Sequence, residues 1–446
     1  MTRNELAILI AQVGLSGAIN VGIFDNLLAD HSSLTSGSSS TASASTPLQR
    51  EIAIFGDSRT AMCHTIAATA FATENYGYAF WACATSGVAF CPYTNNFGVG
   101  GDTTAQMLAR IAPVVASTAQ IVLFMGGTND RTGGMTVADT KRNITSIVRR
   151  LQKSGKIVIV GNDTPRFGAK ALTTQQQADH IAIRDWITND LSKITPVVDT
   201  YSLITPADLN DELHPNVKGA AKLGALAFGP ALKKYLSVPV DLPTEALDAY
   251  SATSTTGSLI TNPLLTGSVS LSTSSINPVA NSVIATGYKS AGSSFTGVTT
   301  KWTKEVAAFG EAQVIQFGGT ATAGAYITFT PTAVFPLANV SVGQSLSLMA
   351  GFEIVGDGAG ILGVVAELLV TKPVSGTSTT IYYRDGDKYQ EPFGMPANVS
   401  GSLDTQRYVF DGTETLIVPR IAIYLAAGAQ TATVKLKQMV VRKHIA

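Results

Sequence analysis

Between residues 47 and 238 the apolar positions fall in short unbroken runs, separated by longer stretches with mixed polarity. The runs at 51–56, 78–82, 120–126, 156–161 and 196–199 predict strands, and the stretches at 103–116, 137–153, 173–193 and 216–235 predict helices. Strands with no polar alternation are buried on both faces, and strands joined by crossover helices form a parallel sheet. The expected architecture is a three-layer α/β/α domain with a core large enough to stand alone. Near residue 240 the pattern changes. Pro239 and Pro243 punctuate the chain, and Ser, Thr, Gly and Val dominate after them. Short alternating runs at 325–330, 345–348, 379–383, 415–418 and 433–436 predict an antiparallel β-sandwich of jelly-roll type across 241–446.

The N-terminal pattern is different again. Leu6 to Phe24 carry no charge, but Gln12, Ser16 and Asn20 and three glycines interrupt the run. Two short helices, about 2–13 and 20–30, fit this better than a membrane span. Glu5 close behind Arg3 spoils the positive flank that a secretion signal needs. Residues 32–46 are almost entirely Ser, Thr, Ala and Gly, a composition that buries no core and acts as a flexible linker. The expected division is a helical segment at 1–31, the linker, an α/β domain at 47–240 and the sandwich.

Composition narrows the function. The 446 residues suggest two or three domains, and a net charge of +0 without basic runs argues against a nucleic-acid groove. Three cysteines, Cys63, Cys83 and Cys91, do not make a disulfide scaffold. A Cys83–Cys91 bridge remains open beside the expected state, buried free thiols. The cysteines and His64 lack metal-ligand spacing, so neither metal nor cofactor is expected.

The chemistry centres on Gly56-Asp57-Ser58, where the first strand ends. Ligands of open α/β sheets bind at the carboxyl ends of strands. A serine hydroxyl needs a base to take its proton, and the base needs an orienting group. Of five histidines, His31 and His444 lie near the ends, His64 follows Ser58 on a presumed helix and His180 sits in a polar stretch where solvation is expected. His214 stands in Asp211-Glu212-Leu213-His214, where a carboxylate three residues earlier on a turn can reach the imidazole. The alternative is that Asp211 or Asn210 merely caps the next helix. Gly98-Val99-Gly100-Gly101-Asp102-Thr103 leads into a helix and exposes backbone N–H groups, and Asn129 in Gly127-Thr128-Asn129-Asp130 offers a side-chain donor at the same sheet edge.

Taken together these four stretches resemble the blocks of the SGNH hydrolase superfamily, the GDSL esterases and lipases, over about 47–238. The resemblance implies Ser58 as nucleophile, His214 as base and Asp211 as its orienter. The oxyanion donors would be Ser58 N–H, Gly101 and Asn129. Two departures stand out: Arg59 replaces the usual leucine and would place a cation next to the substrate, and Trp81 to Tyr93 looks like an insertion at the substrate rim. No Gly-x-Ser-x-Gly elbow occurs, which argues against the larger α/β-hydrolase fold.

The flanking parts resemble bacteriophage tail-fibre or spike proteins, in which residues 1–31 would attach to the virion. That resemblance implies an extracellular homo-oligomer, with a trimer among the options, that removes acyl groups, commonly acetyl, from O-acylated surface polysaccharide. The sandwich, with Trp302 and several tyrosines, would bind glycan or serve packing and trimerisation. Two other readings stand beside this one: a structural or receptor-binding virion protein with an incidental hydrolase domain, and a secreted bacterial carbohydrate esterase or lipase.

Overall fold

The computed structural model describes residues 48, 50–67, 72–246, 248–251, 253–272, 274–293, 295–386 and 394–444. The helices expected at 2–13 and 20–30 and the 32–46 linker lie outside the described residues. Residues 48–446 form one compact unit.

Strand β1 (Ile52–Gly56) is followed by helix α1 (Ser58–Ala61), strands β2 (His64–Ala67) and β3 (Ala72–Asn75), helix α2 (Gly77–Ser86) and strand β4 (Asn96–Gly98). Helices α3 (Thr104–Ala109) and α4 (Ala112–Ala116) lead to β5 (Ile121–Met125). After it come α5 (Thr128–Thr132), α6 (Val137–Lys153), β6 (Ile157–Gly161), α7 (Thr174–Asn189) and β7 (Val197–Val198). The last helical stretch runs without a break through α8 (Val217–Ala221), a π-helical segment (Lys222–Phe228) and α9 (Gly229–Leu232).

The parallel sheet has the order β4-β1-β5-β6-β7. Its side chains divide cleanly. Ile52, Ile54, Ile121, Leu123 and Ile159 enter one core, while Ala53, Phe55, Val122, Phe124 and Val158 enter the other. Burial on both faces is why these strands read as unbroken apolar runs, and the α/β/α expectation holds.

Two local expectations fail for identifiable reasons. The 103–116 stretch is two helices, because Pro113 in the first turn of α4 has no N–H for the carbonyl of Ala109 and its ring crowds that carbonyl. The 78–82 run is not a strand but the middle of α2, whose residues Tyr78 to Ala84 are all buried. One side of α2 (Tyr78, Ala79, Ala82, Cys83) packs on the parallel sheet, and the other (Phe80, Trp81, Ala84) packs on the C-terminal sheets. A helix covered on both sides shows no amphipathic period. It crosses the π-helical segment so closely that a Cβ on Gly224 would lie 2.4 Å from the Cβ of Trp81 and 2.6 Å from Tyr78 O.

The C-terminal part is antiparallel, as expected. A short ribbon, β8 (Val269–Ser270) with β9 (Val283–Ile284), precedes β10 (Tyr288–Ser293), β11 (Val298–Val306), β12 (Glu311–Ala321) and β13 (Ala325–Pro331). Then follow β14 (Ser345–Val355), β15 (Ile361–Val374), β16 (Thr377–Asp385), β17 (Val399–Asp404), β18 (Tyr408–Val409), β19 (Leu416–Leu425), β20 (Gly428–Ala429) and β21 (Thr433–His444). They make two sheets, β11-β12-β21-β14-β17 and β10-β13-β19-β15-β16-β3-β2. The second contains a surprise: its last two strands come from residues 64–75. Strand β3 pairs in parallel with β16, Tyr382 opposite Ala72 and Tyr383 opposite Thr73. His64 is therefore on a strand, not a helix, and its Nε2 contacts Cys91 O at 3.1 Å.

Asp385 lies buried at this seam. Its carboxylate accepts from Asn75 Nδ2 at 2.7 Å and from Asp404 N at 2.6 Å. Burial, with the charge of Asp404 adding to it, pushes its pKa up to about 8. An acid with a raised folded-state pKa holds its proton in the native state while the unfolded chain has lost it. Stability from this group is therefore complete below about pH 4 and falls as pH rises to about 8. Asp385→Asn removes this titration. A half-turn of the Asn75 amide would offer the new amide its Oδ1, which is buried without a partner. Relative to the unsubstituted protein, the variant should gain melting temperature between pH 5 and pH 9. A constant difference across that range would refute the assignment.

Candidate active site

Ser58 begins α1 at the carboxyl end of β1, and Asp57 caps that helix by accepting Arg59 N at 3.0 Å. His214 Nε2 lies 2.8 Å from Ser58 Oγ, and His214 Nδ1 lies 2.8 Å from Asp211 Oδ2. Asp211 Oδ1 also accepts His214 N at 2.7 Å and Leu213 N at 3.3 Å. The loop is a tight one: Glu212 adopts φ 67°, and Asn210 N bonds back to His214 O at 2.8 Å. The cap of α8 is Asn216, whose side chain accepts from Lys218 N and Gly219 N. Asp211 therefore does not cap α8, and its carboxylate bonds the imidazole and the loop's own N–H groups. Burial opposes its charge, but the bonds from His214 N, the ring and Leu213 N hold its pKa below the usual carboxylate value.

The glycine loop after β4 reaches over this pair. A Cβ on Gly100 would lie 3.9 Å from Ser58 Cβ, and Gly101 takes φ +80°, a conformation glycine adopts without strain. The N–H groups of Ser58 and Gly101 have no acceptor among the described residues. Asn129, the second residue of α5, gives one amide hydrogen to Asp102 O at 3.0 Å and keeps the other.

Two residues that the sequence did not single out hold this frame. Asp130 accepts from Thr104 N at 2.7 Å and from Thr140 Oγ1 at 2.7 Å, which joins the Asn129 helix to the glycine loop. Arg110 bonds Gly56 O at 2.9 Å, Phe97 O at 2.7 Å and the Asp102 carboxylate, which joins both strand ends to that loop. Asp130 stood next to the recognised Asn129, whereas nothing in the local pattern marks Arg110.

Three expectations about the surroundings need correction. The Arg59 guanidinium is not presented to substrate. It is buried, with Nε 3.0 Å from Asp57 Oδ1, Nη2 2.5 Å from Asp57 Oδ2, and Nη1 2.5 Å from Asp163 Oδ1 and 2.6 Å from Thr164 Oγ1. Burial disfavours its charge, and Asp163 and Asp57 outweigh burial. His180 is not solvated: it is buried, its Nδ1 3.9 Å from Asp163 Oδ2. The stretch 81–93 does not form a substrate rim. Trp81 is fully buried against the sandwich, and Tyr93 N donates to Gln406 Oε1 at 2.8 Å. Cys63, Cys83 and Cys91 are buried thiols outside any disulfide.

Residues 54–222 match the family described as GDSL-like Lipase/Acylhydrolase. No curated protein matches the chain. Among solved structures, the lipase/acylhydrolase from Enterococcus faecalis is 22% identical, with a TM-score of 0.34, covering 42% of this chain and 98% of that one. A carbohydrate esterase family 3 from Talaromyces cellulolyticus is 20% identical, with a TM-score of 0.32, covering 42% and 97%. A GDSL-like lipase from Bacteroides thetaiotaomicron is 17% identical, with a TM-score of 0.31, covering 48% and 98%. The matched residues end before β8, and strands β2 and β3 of the second sheet lie within them.

Proposed function

We propose that the chain is a serine esterase that removes short O-acyl groups, acetyl foremost, from a polysaccharide. The single observation behind it is the continuous hydrogen-bond path from Asp211 through His214 to Ser58. In this reading His214 takes the Ser58 proton as Oγ attacks the ester carbonyl, and Asp211 keeps the ring in the right tautomer and steadies the imidazolium. The N–H groups of Ser58 and Gly101 and the spare hydrogen of Asn129 receive the developing oxyanion. His214 then returns the proton to the departing sugar hydroxyl, and water cleaves the acyl-enzyme by the same route.

A small acyl group is favoured by a slot whose lining includes the chain neighbours of Ser58 and His214. It measures about 20 Å³ and is lined by Met62, Tyr76, Gly77, Tyr78 and Ala220, with Arg59 and Pro215, the neighbours of Ser58 and His214. That volume holds one body of water or methyl size. A glycan is favoured by the face of the second sheet that carries Tyr326, Tyr382 and Tyr424. There Glu367 is fully buried beneath Arg384 at 2.8 Å, Arg420 at 2.6 Å and Tyr424 OH at 3.1 Å. Arg384 also stacks 4.5 Å over Tyr382. Tyrosine rings and charged hydrogen-bonding groups on one rigid face suit sugar rings, which are apolar on their faces and polar at their edges. Attachment to a virion through residues 1–31, and oligomerisation, complete the proposal.

The test is ester hydrolysis across acyl length. p-Nitrophenyl acetate should be cleaved with a kcat/KM at least tenfold above that of the octanoate, and acetylated polysaccharide should release acetate. Absence of all hydrolysis would leave the receptor-binding reading in its place.

Asn129→Ala should lower kcat by about 10²–10³-fold, the usual cost of one oxyanion donor. KM should change little, because the bond strengthens only as charge develops. A raised KM at unchanged kcat would assign Asn129 to ground-state binding instead.

A further inference from the structure

The loop after β6 carries a cation that the fold leaves without a counterion. Arg166 lies between the two loops that flank Ser58. Its Nη1 reaches Thr128 O, next to Asn129, at a long 3.4 Å. Its neighbours on the loop are tied to the His214 side: Phe167 N donates to Glu212 O at 3.1 Å, and Ala169 N to Glu212 Oε2 at 2.6 Å. No carboxylate among the described residues forms an ion pair with Arg166. Its Nε is buried with no acceptor at all.

The lack of a partner has a physical cause. Asp57 and Asp163 are the nearest sources of negative potential, and both are already engaged by Arg59. Glu212 spends its carboxylate on Ala169 N. Burial and repulsion from Arg59 make the Arg166 charge costly, and Asp163 and Asp57 offset only part of this, so its pKa is lowered. A half-buried guanidinium with an unused N–H is an expensive feature for a fold to keep, and its fork of donors is shaped for a planar anion.

We propose that Arg166 receives an anionic group on the alcohol side of the substrate, namely the carboxylate of an acidic sugar that bears the ester. The inference rests on the esterase reading for the place of the ester, and adds that the acylated polymer is anionic. The acyl slot is lined by Met62 and Tyr76, whereas Arg166 touches Thr128 and its loop is tied to Glu212, so the two assignments use different residues. A planar carboxylate can accept from two N–H groups of Arg166 at once, a charge-assisted pair of the stronger kind. A sulfate ester on the sugar is the other source of negative charge with the same attraction.

The test is calorimetric binding to the full chain carrying Ser58→Ala, which removes turnover. The probes are galacturonate and glucuronate, their neutral counterparts galactose and glucose, and galactose 6-sulfate. At least one uronate should bind at least tenfold more tightly than its neutral counterpart, and raising the ionic strength should weaken only the charged ligands. Adding Arg166→Gln should weaken that uronate by about tenfold to a hundredfold, with Arg166→Lys intermediate. The proposal is overturned if neither uronate binds better than its neutral sugar, if Arg166→Gln weakens neutral and acidic sugars alike, or if the sulfate binds and the uronates do not. Should Arg166→Gln fail to fold, the ionic-strength comparison on the Ser58→Ala chain decides alone. p-Nitrophenyl acetate hydrolysis by the unsubstituted chain is scored separately. Its absence would sink the esterase reading, whereas a failed uronate comparison sinks only this one.

Discussion

Ser58→Ala is expected to lower kcat on p-nitrophenyl acetate by roughly 10⁵–10⁶-fold, on the scale seen when a serine nucleophile that works with a histidine is removed. What remains would come from the oxyanion donors and from binding, which persist without the nucleophile. The fold should hardly notice. Ser58 is half-buried, and the side-chain bond it loses is the one to His214, worth about 1 kcal/mol. A loss of turnover with an unchanged melting temperature is therefore the expected pair of results. A variant that kept more than a hundredth of the turnover would show that Ser58 is not the nucleophile, however well the geometry suits it.

Ending the chain at residue 240 is expected to abolish activity for a different reason. The cut looks natural in the sequence, but it would strip the cover from Phe80, Trp81 and Ala84 of α2 and from Val217, Ala220 and Ala221 of α8. Phe80 and Trp81 alone bury roughly 300–500 Å², or about 8–12 kcal/mol at 25 cal/mol per Å². That is an upper figure, because a truncated chain can partly collapse over the gap. It still equals the whole stability of an ordinary domain, about 5–15 kcal/mol. The fragment would also leave β3 without β16. Residues 47–240 should show no cooperative thermal transition and no ester hydrolysis. A sharp transition together with full turnover per mole of serine would mean that the shared core is dispensable.

The parts of the site that were legible in the sequence are those whose chemistry is local. Ser58 sits at the end of an apolar run, His214 stands three residues after Asp211, and the glycines before Thr103 precede a helix. Each carries its signal within a few positions. What could not be read depends on partners far along the chain. Arg59 looks like a cation beside the site until Asp163, 104 residues later, is found bonded to it. His180 looks solvated until the same carboxylate appears beside it. The run at 78–82 is apolar on every side because two different cores cover it, and no single period survives such burial. The ribbon of β2 and β3 gives no sign that it completes a sheet of the sandwich, since the partner of β3's second edge, β16, is one that a local window never sees.

That ribbon also bears on when the enzyme can exist during synthesis. Asn75 meets Asp385 across a sequence separation of 310 residues. At a translation rate of about 5–20 residues per second, β3 waits roughly fifteen seconds to a minute for its neighbour to emerge. Until then the α2 surface that carries Trp81 lacks part of the C-terminal sheets it packs on, and chain closure over so long a span is slow in itself. A nascent or prematurely terminated chain would therefore display Ser58 and His214 without a finished framework around them. Hydrolysis would begin only once the last strands are in place, which makes activity a readout of full-length synthesis.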